Sequence, residues 1–260
     1  MSKEGFHIPG AGFESRRKKD LLNANTPFVI TESYKTARTN LMFSLANSES
    51  KIVIITSANP GEGKSTTCAN IGLTLAGMGA STLIIDADLR KPTSHKLFGV
   101  QNKKGLSSIL GGFNKVDKST ISYGVEENLD VITSGPIPPN PAELLASDVM
   151  NSLLKAVAGH YDYVLIDTPP INVVTDSQLM NNIVSGMIFV VREGSTTHTD
   201  INTAMRAVDM ANGKILGFLK TNCFAKGSRG YKKYNYKYNY KYAYGRKPRV
   251  PKPDGEKKHG

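Results

Sequence analysis

Short apolar runs alternate along the chain with stretches of helical periodicity. The apolar runs cover residues 51–57, 81–88, 129–134, 161–168, 186–192 and 214–222. Helical periodicity is found at residues 64–78, 141–158, 175–183 and 198–211, and one more predicted helix precedes the first run at 32–46. Apolar strands separated by helices are typical of a parallel sheet with helices on both faces. The pattern therefore predicts an α/β fold, a single domain with a mostly parallel sheet flanked by helices.

The positive charge of the chain is concentrated at its carboxyl end. The 260 residues include 33 basic and 22 acidic ones, a formal net charge of +11. Residues 226–260 hold twelve basic and two acidic residues, a net +10, which leaves +1 for the preceding 225 residues. A nearly neutral body gives no reason to expect a specific nucleic-acid partner. We divide the chain into a partly disordered leader (1–30), the predicted domain (31–225) and a disordered basic tail (226–260).

Cysteine usage and apolar content indicate the compartment. Cys68 and Cys223 are far apart and have no CxxC or Cys/His partner, which excludes a disulfide framework and a zinc module. The longest apolar runs cover about five residues, whereas a membrane span needs about 20. The first 20 residues lack the apolar segment of a secretory signal peptide. We expect a cytoplasmic protein that reaches a membrane only through a partner or through its surface.

The segment after the first strand reads ANPGEGKSTT, at residues 58–67. A strand, a glycine-containing loop with Gly-Lys-Ser and a helix follow one another as in a phosphate-binding P-loop. Backbone amides would hold the β-phosphate of ATP, Lys64 the β- and γ-phosphates, and the Ser65 hydroxyl a Mg²⁺ ion. The alternative is a glycine-rich turn that only links a strand to a helix. The predicted nucleotide-binding residues are Gly61, Glu62, Gly63, Lys64, Ser65 and Thr66.

Three aspartates stand at the ends of predicted strands. Asp86 and Asp88 close the run STLIIDAD, and Asp167 closes the run YVLID. Side chains two apart in an extended segment share a face, and the carboxyl ends of parallel strands meet at one edge of a sheet. We expect Asp167 to hold Mg²⁺ through a water molecule, and Asp86 and Asp88 to point at one metal or phosphate. Each aspartate alone could instead be a helix cap or a turn former.

A P-loop, an apolar strand ending in DxDxR and an apolar strand ending in DxxP occur together here, as ANPGEGKS, TLIIDADLR and VLIDTPP. This combination resembles the bacterial tyrosine kinases. The similarity extends through RKPTSHKLFG, KGLSSILGG, SGPIPPNPAELLAS and the tyrosine-rich end, and so covers residues 26–245. The chain looks most like the separate cytoplasmic kinase of capsule or exopolysaccharide assembly, the CpsD/CapB type.

The resemblance implies roles for the residues already singled out. Lys64 and Ser65 would bind phosphate and Mg²⁺. Asp88 and Asp167 would support the metal, and Asp86 would accept the proton of the substrate tyrosine. A carboxylate orients a phenol as much as it deprotonates it, because phenol has a pKa of about 10 and phosphoryl transfer is usually loose.

The resemblance also implies partners and two further features. Arg90 would stabilise charge on the transferred phosphoryl group, although a structural salt bridge explains it equally well. Glu32, Lys35 and Arg38 correspond to an oligomerisation pattern, and residues three apart line one helical face; a solvated helix face is the alternative. The family implies a ring-shaped homo-oligomer, protein substrates of polysaccharide synthesis, and a membrane-anchored modulator of polysaccharide export that recruits the kinase to the inner face of the cell membrane.

The tail is rich in tyrosine as well as in basic residues. A β-strand, a strip that stacks the bases of a single-stranded nucleic acid and a kinase substrate all fit this pattern, and we interpret it as the substrate. Seven phosphotyrosines would add roughly −10 to −14 charges and release the tail from an anionic membrane surface. The predicted phosphate acceptors are Tyr231, Tyr234, Tyr236, Tyr238, Tyr240, Tyr242 and Tyr244.

Two other functions fit parts of the same sequence. Partitioning and cell-division ATPases of the MinD/ParA type share the predicted sheet, P-loop and aspartates, but they resemble KGGxGK[ST] at the loop, and their early lysine is Asn59 here. A polysaccharide-assembly scaffold that binds ATP without catalysis is the second alternative. The prediction is an ATP- and Mg²⁺-dependent protein-tyrosine kinase that phosphorylates its own tail and regulates capsular or exopolysaccharide synthesis and export.

Overall fold

One mixed sheet organises the part of the chain that the structure, a computed structural model, describes: residues 20–114, 116–117 and 119–223. The strand order is β3-β4-β2-β5-β1-β6-β7. All neighbouring strands are parallel except the antiparallel edge pair of β3 and β4. The strands are β1 (Ile52–Ser57), β2 (Thr82–Asp86), β3 (Ile121–Glu126), β4 (Leu129–Ile132), β5 (Tyr163–Asp167), β6 (Gly186–Arg192) and β7 (Ile215–Thr221).

Helices cover both faces of this sheet. Alternate residues of β1 belong to two separate hydrophobic clusters, with Ile54 in one and Ile55 in the other. A strand that is buried on both faces is apolar throughout, which is why the apolar runs of the sequence are continuous. The helices are α1 (Phe28–Ser44), α2 (Lys64–Ala76), α3 (Ser94–Phe98), α4 (Leu106–Leu110), α5 (Pro141–Leu145), α6 (Asp148–Ala158) and α7 (His198–Met210).

The predicted fold class and all six predicted strands are confirmed. The single helix expected at 141–158 is two helices, because Ser147 adopts an extended conformation and its side chain caps α6 by accepting a hydrogen bond from the Met150 amide. The helix expected at 175–183 is a short 3₁₀ helix, Asp176–Met180. The edge strand β3 and the short helices α3 and α4 were not predicted.

Other predictions concern the two ends of the chain. Helix α1 begins at Phe28 rather than at residue 32, since Pro27 directly precedes it and needs no amide partner. The tyrosine-rich tail and most of the leader lie outside the described residues. Within the described residues, no helix is long and apolar enough to cross a membrane.

Candidate active site at the carboxyl edge of the sheet

The P-loop lies between the end of β1 and the start of α2. Gly61 and Gly63 have φ angles of 80° and 94°, in the left-handed region. A Cβ atom at Gly63 would meet only the Thr221 side chain, at 3.5 Å, so the backbone conformation, rather than space, requires glycine there. The first turn of α2 contains no acidic residue. Its positive end is therefore available to an anion.

The Lys64 ammonium group sits among carboxylates at this edge. Its Nζ lies 2.9 Å from Oδ2 of Asp88 and 3.6 Å from Oδ1 of Asp167. Burial lowers the pKa of Lys64, but the charges of Asp167 and Asp88 outweigh burial, and the net pKa is raised. Lys64 therefore stays protonated, and it can neutralise phosphate oxygens that enter the site.

Neighbouring strands bring the aspartates together. Asp86 of β2 pairs in register with Asp167 of β5, and β5 also pairs with β1, which leads into the P-loop. Both aspartates are fully buried, and Asp88 is nearly so. The expectation that these strand ends meet beside the P-loop is thus confirmed.

Asp167 is buried with unused hydrogen-bonding capacity. Neither of its carboxylate oxygens accepts a hydrogen bond of ordinary geometry from the described residues, although Lys64 Nζ lies 3.6 Å from Oδ1 and the Ser65 hydroxyl lies near enough to lower the pKa of the carboxyl. Burial raises the pKa of this carboxyl, and the nearby charge of Lys64 opposes the rise. A buried carboxylate normally has hydrogen-bond donors or a cation beside it; Lys64 is the cation here, and the carboxylate oxygens still have lone pairs free for a further ligand. Asp167 is therefore suited to a ligand that brings positive charge or water.

Asp86, in contrast, is held by the protein backbone. Its Oδ2 accepts hydrogen bonds from the amides of Thr93, at 3.0 Å, and Ser94, at 2.9 Å. Burial, followed by the charge of Asp167, raises the pKa of Asp86 to about 7. The Asp88 side chain lines the cleft described below and Asp86 is absent from its lining. The acceptor role given to Asp86 stays a prediction, and the geometry places Asp88 closer to an entering substrate.

Arg90 forms a fork-shaped salt bridge. Its Nε and Nη2 donate to the two carboxylate oxygens of Asp176, at 2.9 and 3.1 Å. Asp176 is 1% exposed. The hydrogen bond to Asp176 raises the pKa of Arg90. The geometry favours the structural salt bridge, although Arg90 also lines the cleft.

The Glu62 side chain points away from the position of a phosphate. It is 1% exposed, and its carboxylate accepts hydrogen bonds from the Asn59 amide and the Thr196 hydroxyl. The Thr221 hydroxyl donates to the Glu62 carbonyl at 2.8 Å, and Arg192 donates to the Gly61 carbonyl at 3.0 Å. The loop is thus fixed from the ends of β6 and β7. Glu62 can contribute its backbone, not its side chain, to phosphate binding.

A cleft of about 1050 Å³ opens above these residues. The predicted residues Gly61, Gly63, Lys64, Ser65 and Thr66 line one side of it. Five basic residues also line the cleft: Lys64, Arg90, Lys91, Lys96 and Arg192. Its size and positive charge suit a nucleoside triphosphate.

The acidic groups fit a magnesium ion better than a fully protein-ligated metal. No group of three His, Cys, Asp or Glu side chains among the described residues is arranged to hold a metal. Mg²⁺ keeps several waters and usually takes one or two carboxylates together with phosphate oxygens. Ser65, Asp88 and Asp167 are the groups that would hold it.

The helical stripe predicted to mediate oligomerisation has contacts within its own chain. Lys35 Nζ lies 2.8 Å from Glu32 Oε1 on α1. Arg38 Nη1 donates to the Thr74 carbonyl of α2 at 3.0 Å, and its buried Nε has no hydrogen-bond partner among the described residues. Arg38 of this stripe therefore links α1 to α2 through a hydrogen bond.

The comparisons with known proteins agree with this geometry. The family model ParA, described as NUBPL iron-transfer P-loop NTPase, matches residues 48–238. A plasmid partition protein from Borrelia burgdorferi shares the fold at 22% identity and a TM-score of 0.54, over 69% of this chain and 84% of that one. By fold and site, the chain is a P-loop NTPase.

Relatives define the group within that class. Tyrosine-protein kinase YwqD of Bacillus subtilis is 43% identical over 208 residues, 78% of this chain and 86% of the relative. The putative tyrosine-protein kinase CapB of Staphylococcus aureus is 41% identical over 192 residues, 72% and 82% of the two chains. The kinase domain of Escherichia coli ETK has a TM-score of 0.73 at 33% identity, over 80% and 84%. The chain belongs to the bacterial tyrosine-protein kinases, and it is an enzyme of that class with a nucleotide-binding P-loop.

Several residues that shape the site could not be found in the sequence. Thr196, Thr221 and Arg192 fix the P-loop from more than 120 positions away, and no motif marks them. Asp176 is separated from Arg90 by 86 positions. Arg192 and Thr221 do end the parallel strands β6 and β7, and the carboxyl ends of parallel strands share the ligand edge, which was the one signal available.

Proposed function

We propose that the chain transfers the γ-phosphoryl group of ATP to the tyrosines of its own carboxyl-terminal cluster, Tyr231 to Tyr244, between subunits. The observation that carries this proposal is the buried group of Lys64, Asp88 and Asp167 beneath a basic cleft, in a chain that has seven tyrosines between residues 231 and 244. The kinase relatives support the reaction class. One chain therefore has both a phosphate-binding site and several phenol groups that could accept the phosphoryl group.

Each residue of the site has its own role in the proposed phosphoryl transfer. The phenol oxygen forms a bond to the γ-phosphorus while the bond from that phosphorus to the β,γ-bridging oxygen breaks. ADP leaves with the bond electrons, and the phenol proton passes to an aspartate at the cleft floor. Lys64 and the P-loop amides hold the phosphates, and a bound Mg²⁺ supplies further positive charge. The family resemblance assigns the proton to Asp86, whereas Asp88 is the aspartate that lines the cleft, so Asp86→Asn and Asp88→Asn are compared separately.

The experiment is incubation of the purified full-length chain with γ-labelled ATP and Mg²⁺, followed by mapping of the label. Tail phosphotyrosine supports the proposal. Label found only as free phosphate favours the second candidate, a MinD/ParA-like ATPase, which the ParA family match supports. Nucleotide binding without turnover favours a non-catalytic ATP-binding scaffold. A Lys64→Met variant controls for a contaminating kinase.

The same proposal extends to assembly and location. The chain would form a homo-oligomeric ring through Glu32, Lys35 and Arg38, and would bind a membrane-anchored modulator at the inner face of the cell membrane. It would act on proteins of polysaccharide synthesis and regulate capsule or exopolysaccharide production. The chimerical protein CapA2B2 shares the fold of this chain, with a TM-score of 0.70 at 38% identity over 75% of this chain and 85% of that one. Light scattering of the Glu32→Ala variant against the parent chain tests the ring.

A further inference from the structure

Arg90 brings a guanidinium group to the cleft and is held there by a residue that does not line the cleft. Its carboxylate partner, Asp176, begins the 3₁₀ helix after β5 and is absent from the cleft lining. The Arg90 side chain is 40% exposed, whereas the Asp176 side chain is 1% exposed. The buried carboxylate thus holds one edge of the guanidinium group, and the rest of the group is open to the cleft that Arg90 lines.

The fork between the two side chains uses only part of the donor capacity of Arg90. A guanidinium group carries five N–H donors in a rigid plane, and its Nε and Nη2 each donate one hydrogen bond to Asp176, at 2.9 and 3.1 Å. The other N–H groups of Arg90 have no hydrogen-bond partner among the described residues. Because two donors are fixed, the plane of the group is fixed as well. Arg90 therefore offers oriented donors and a positive charge to an anion in the cleft.

The segment that carries Asp176 is fixed to the strand that leads into the P-loop. Before the 3₁₀ helix, the Ile171 amide donates to the Ser57 carbonyl of β1 at 2.9 Å. The 3₁₀ helix ends at Met180, which is 1% exposed and belongs to the hydrophobic core. The segment is therefore anchored on both sides of Asp176, and the position of the carboxylate follows that of the phosphate-binding loop.

The loop that carries Arg90 is fixed on both sides of this residue. Asp88 Oδ1 accepts a hydrogen bond from the Lys91 amide at 2.9 Å. Asp86 Oδ2 accepts one from the Thr93 amide at 3.0 Å. The protein thus holds both the backbone and the side chain of Arg90, as preorganised electrostatic stabilisation requires.

Arg90 lines the part of the cleft where the γ-phosphoryl group would lie. The lysine of a P-loop reaches the β- and γ-phosphates, and Lys64 Nζ lies 2.9 Å from Oδ2 of Asp88. Arg90 follows Asp88 by two residues and lines the same cleft. During transfer, the bond from the γ-phosphorus to the β,γ-bridging oxygen breaks, the bond to the acceptor oxygen forms, and negative charge spreads over the equatorial oxygens of the phosphoryl group. A fixed guanidinium group beside these oxygens stabilises the charge as it develops.

We propose that Asp176 is a positioning residue, which holds Arg90 with its free guanidinium N–H groups towards the transferred phosphoryl group, so that Arg90 stabilises the transition state. A buried carboxylate with a partly exposed partner is a weak stabiliser of a fold. The same fork is a strong way to fix a guanidinium group, because it sets both distance and orientation. This inference rests on the γ-phosphoryl transfer of the proposed function, and it holds for transfer to tyrosine and to water.

The test compares two nucleotide states that differ only at the position of the phosphoryl group. The first is Mg²⁺ with ADP; the second adds aluminium fluoride, which places a charged mimic of the transferred group beside ADP. Competition against a fluorescent ADP analogue gives the dissociation constant of each state for the full-length chain, Arg90→Met, Asp176→Asn and the double variant. Glu193→Gln is the matched control, because Glu193 pairs with Lys220 at 3.2 Å and is absent from the cleft lining.

Arg90→Met is expected to weaken binding of the aluminium fluoride state about 100-fold and Asp176→Asn about tenfold, while ADP affinity stays within about twofold of the parent value. The double variant should lose no more than Arg90→Met, because Asp176 acts through Arg90. Glu193→Gln should bind both states as the parent chain does. If Asp176→Asn does not fold, Arg90→Lys keeps the charge without the fork and should lose about tenfold in the aluminium fluoride state alone.

A purely structural salt bridge would give equal losses in the two states. Equal losses, an unchanged aluminium fluoride state in Arg90→Met, a further loss in the double variant, or a parent chain that binds the two states equally would each overturn the inference. Tail phosphotyrosine is mapped separately in the parent chain. Its absence, with the expected changes in the aluminium fluoride state, would overturn only the tyrosine acceptor of the proposed function.

Discussion

Removal of the Lys64 charge should destabilise the nucleotide-free protein, and more so at high pH than at low pH. In Lys64→Met, the carboxylates of Asp88 and Asp167 lose a counter-charge at 2.9 and 3.6 Å. At an effective dielectric constant of about 20, these distances correspond to attractions of about 6 and about 5 kcal/mol. The burial cost of the ammonium group is removed as well, which offsets several kcal/mol. We expect a net loss of about 3 to 5 kcal/mol in unfolding free energy at pH 8.

The sign of the pH dependence follows from the carboxyl groups. Burial already raises the pKa of Asp86 and Asp167, and the Lys64 charge opposes this rise at both. Without Lys64 both pKa values rise further, so the folded protein binds protons more tightly than the unfolded chain. A carboxyl with a raised folded pKa loses stability as the pH rises from the unfolded value, about 4, towards the folded one. The deficit of Lys64→Met should therefore be smaller at pH 5 than at pH 8.

Urea unfolding followed by far-ultraviolet circular dichroism, without nucleotide, measures this difference at both pH values. Lys220→Met is the control, because Lys220 pairs with Glu193 at 3.2 Å with side chains 57% and 39% exposed. Such a surface pair contributes about 0 to 1 kcal/mol. An equal deficit at pH 5 and pH 8 for Lys64→Met would refute the reasoning.

Three further substitutions test the supports of the site. Thr196→Val removes one of the two hydrogen-bond donors to the buried Glu62 carboxylate and leaves the Asn59 amide, so we expect a loss of about 1 to 3 kcal/mol in unfolding free energy and several-fold weaker ADP binding by titration; unaltered ADP affinity would show that the loop does not depend on this bond. Arg90→Met leaves the buried Asp176 carboxylate unpaired, and the double variant with Asp176→Asn should recover part of the stability in urea unfolding; strictly additive losses would contradict this. Asn102→Ala removes both hydrogen bonds to Gly135 in the loop after β4, and its thermal midpoint should fall by an amount equivalent to about 1 to 3 kcal/mol; an unchanged midpoint would show that these bonds do not stabilise the fold.

The sequence predicted the central part of the molecule because the relevant signals are local. Fully buried parallel strands appear as unbroken apolar runs, and the P-loop is a contiguous segment between a strand and a helix. The aspartates could be assigned to one edge because parallel strands bring their carboxyl ends together.

The parts that escaped prediction depend on contacts distant in sequence or on weak local patterns. Strand β3 reads ISYGVE, with Gly124 in its middle and mostly partly exposed side chains, so its apolar signal is weak. Its pairing also relies on Asp130, which accepts a hydrogen bond from the Gly124 amide. Glu62 is held inward by Thr196, and Arg90 pairs with Asp176. Both partners are distant in sequence, and no spacing rule identifies them.

The bond between Thr221 and the Glu62 carbonyl joins the last residue of β7 to the loop that grips the nucleotide. From Thr221 the chain runs on towards the tyrosines that are the proposed substrate. A displacement of Thr221 would disturb this hydrogen bond, so the start of the carboxyl-terminal segment and the position of the phosphate-binding loop depend on one shared contact.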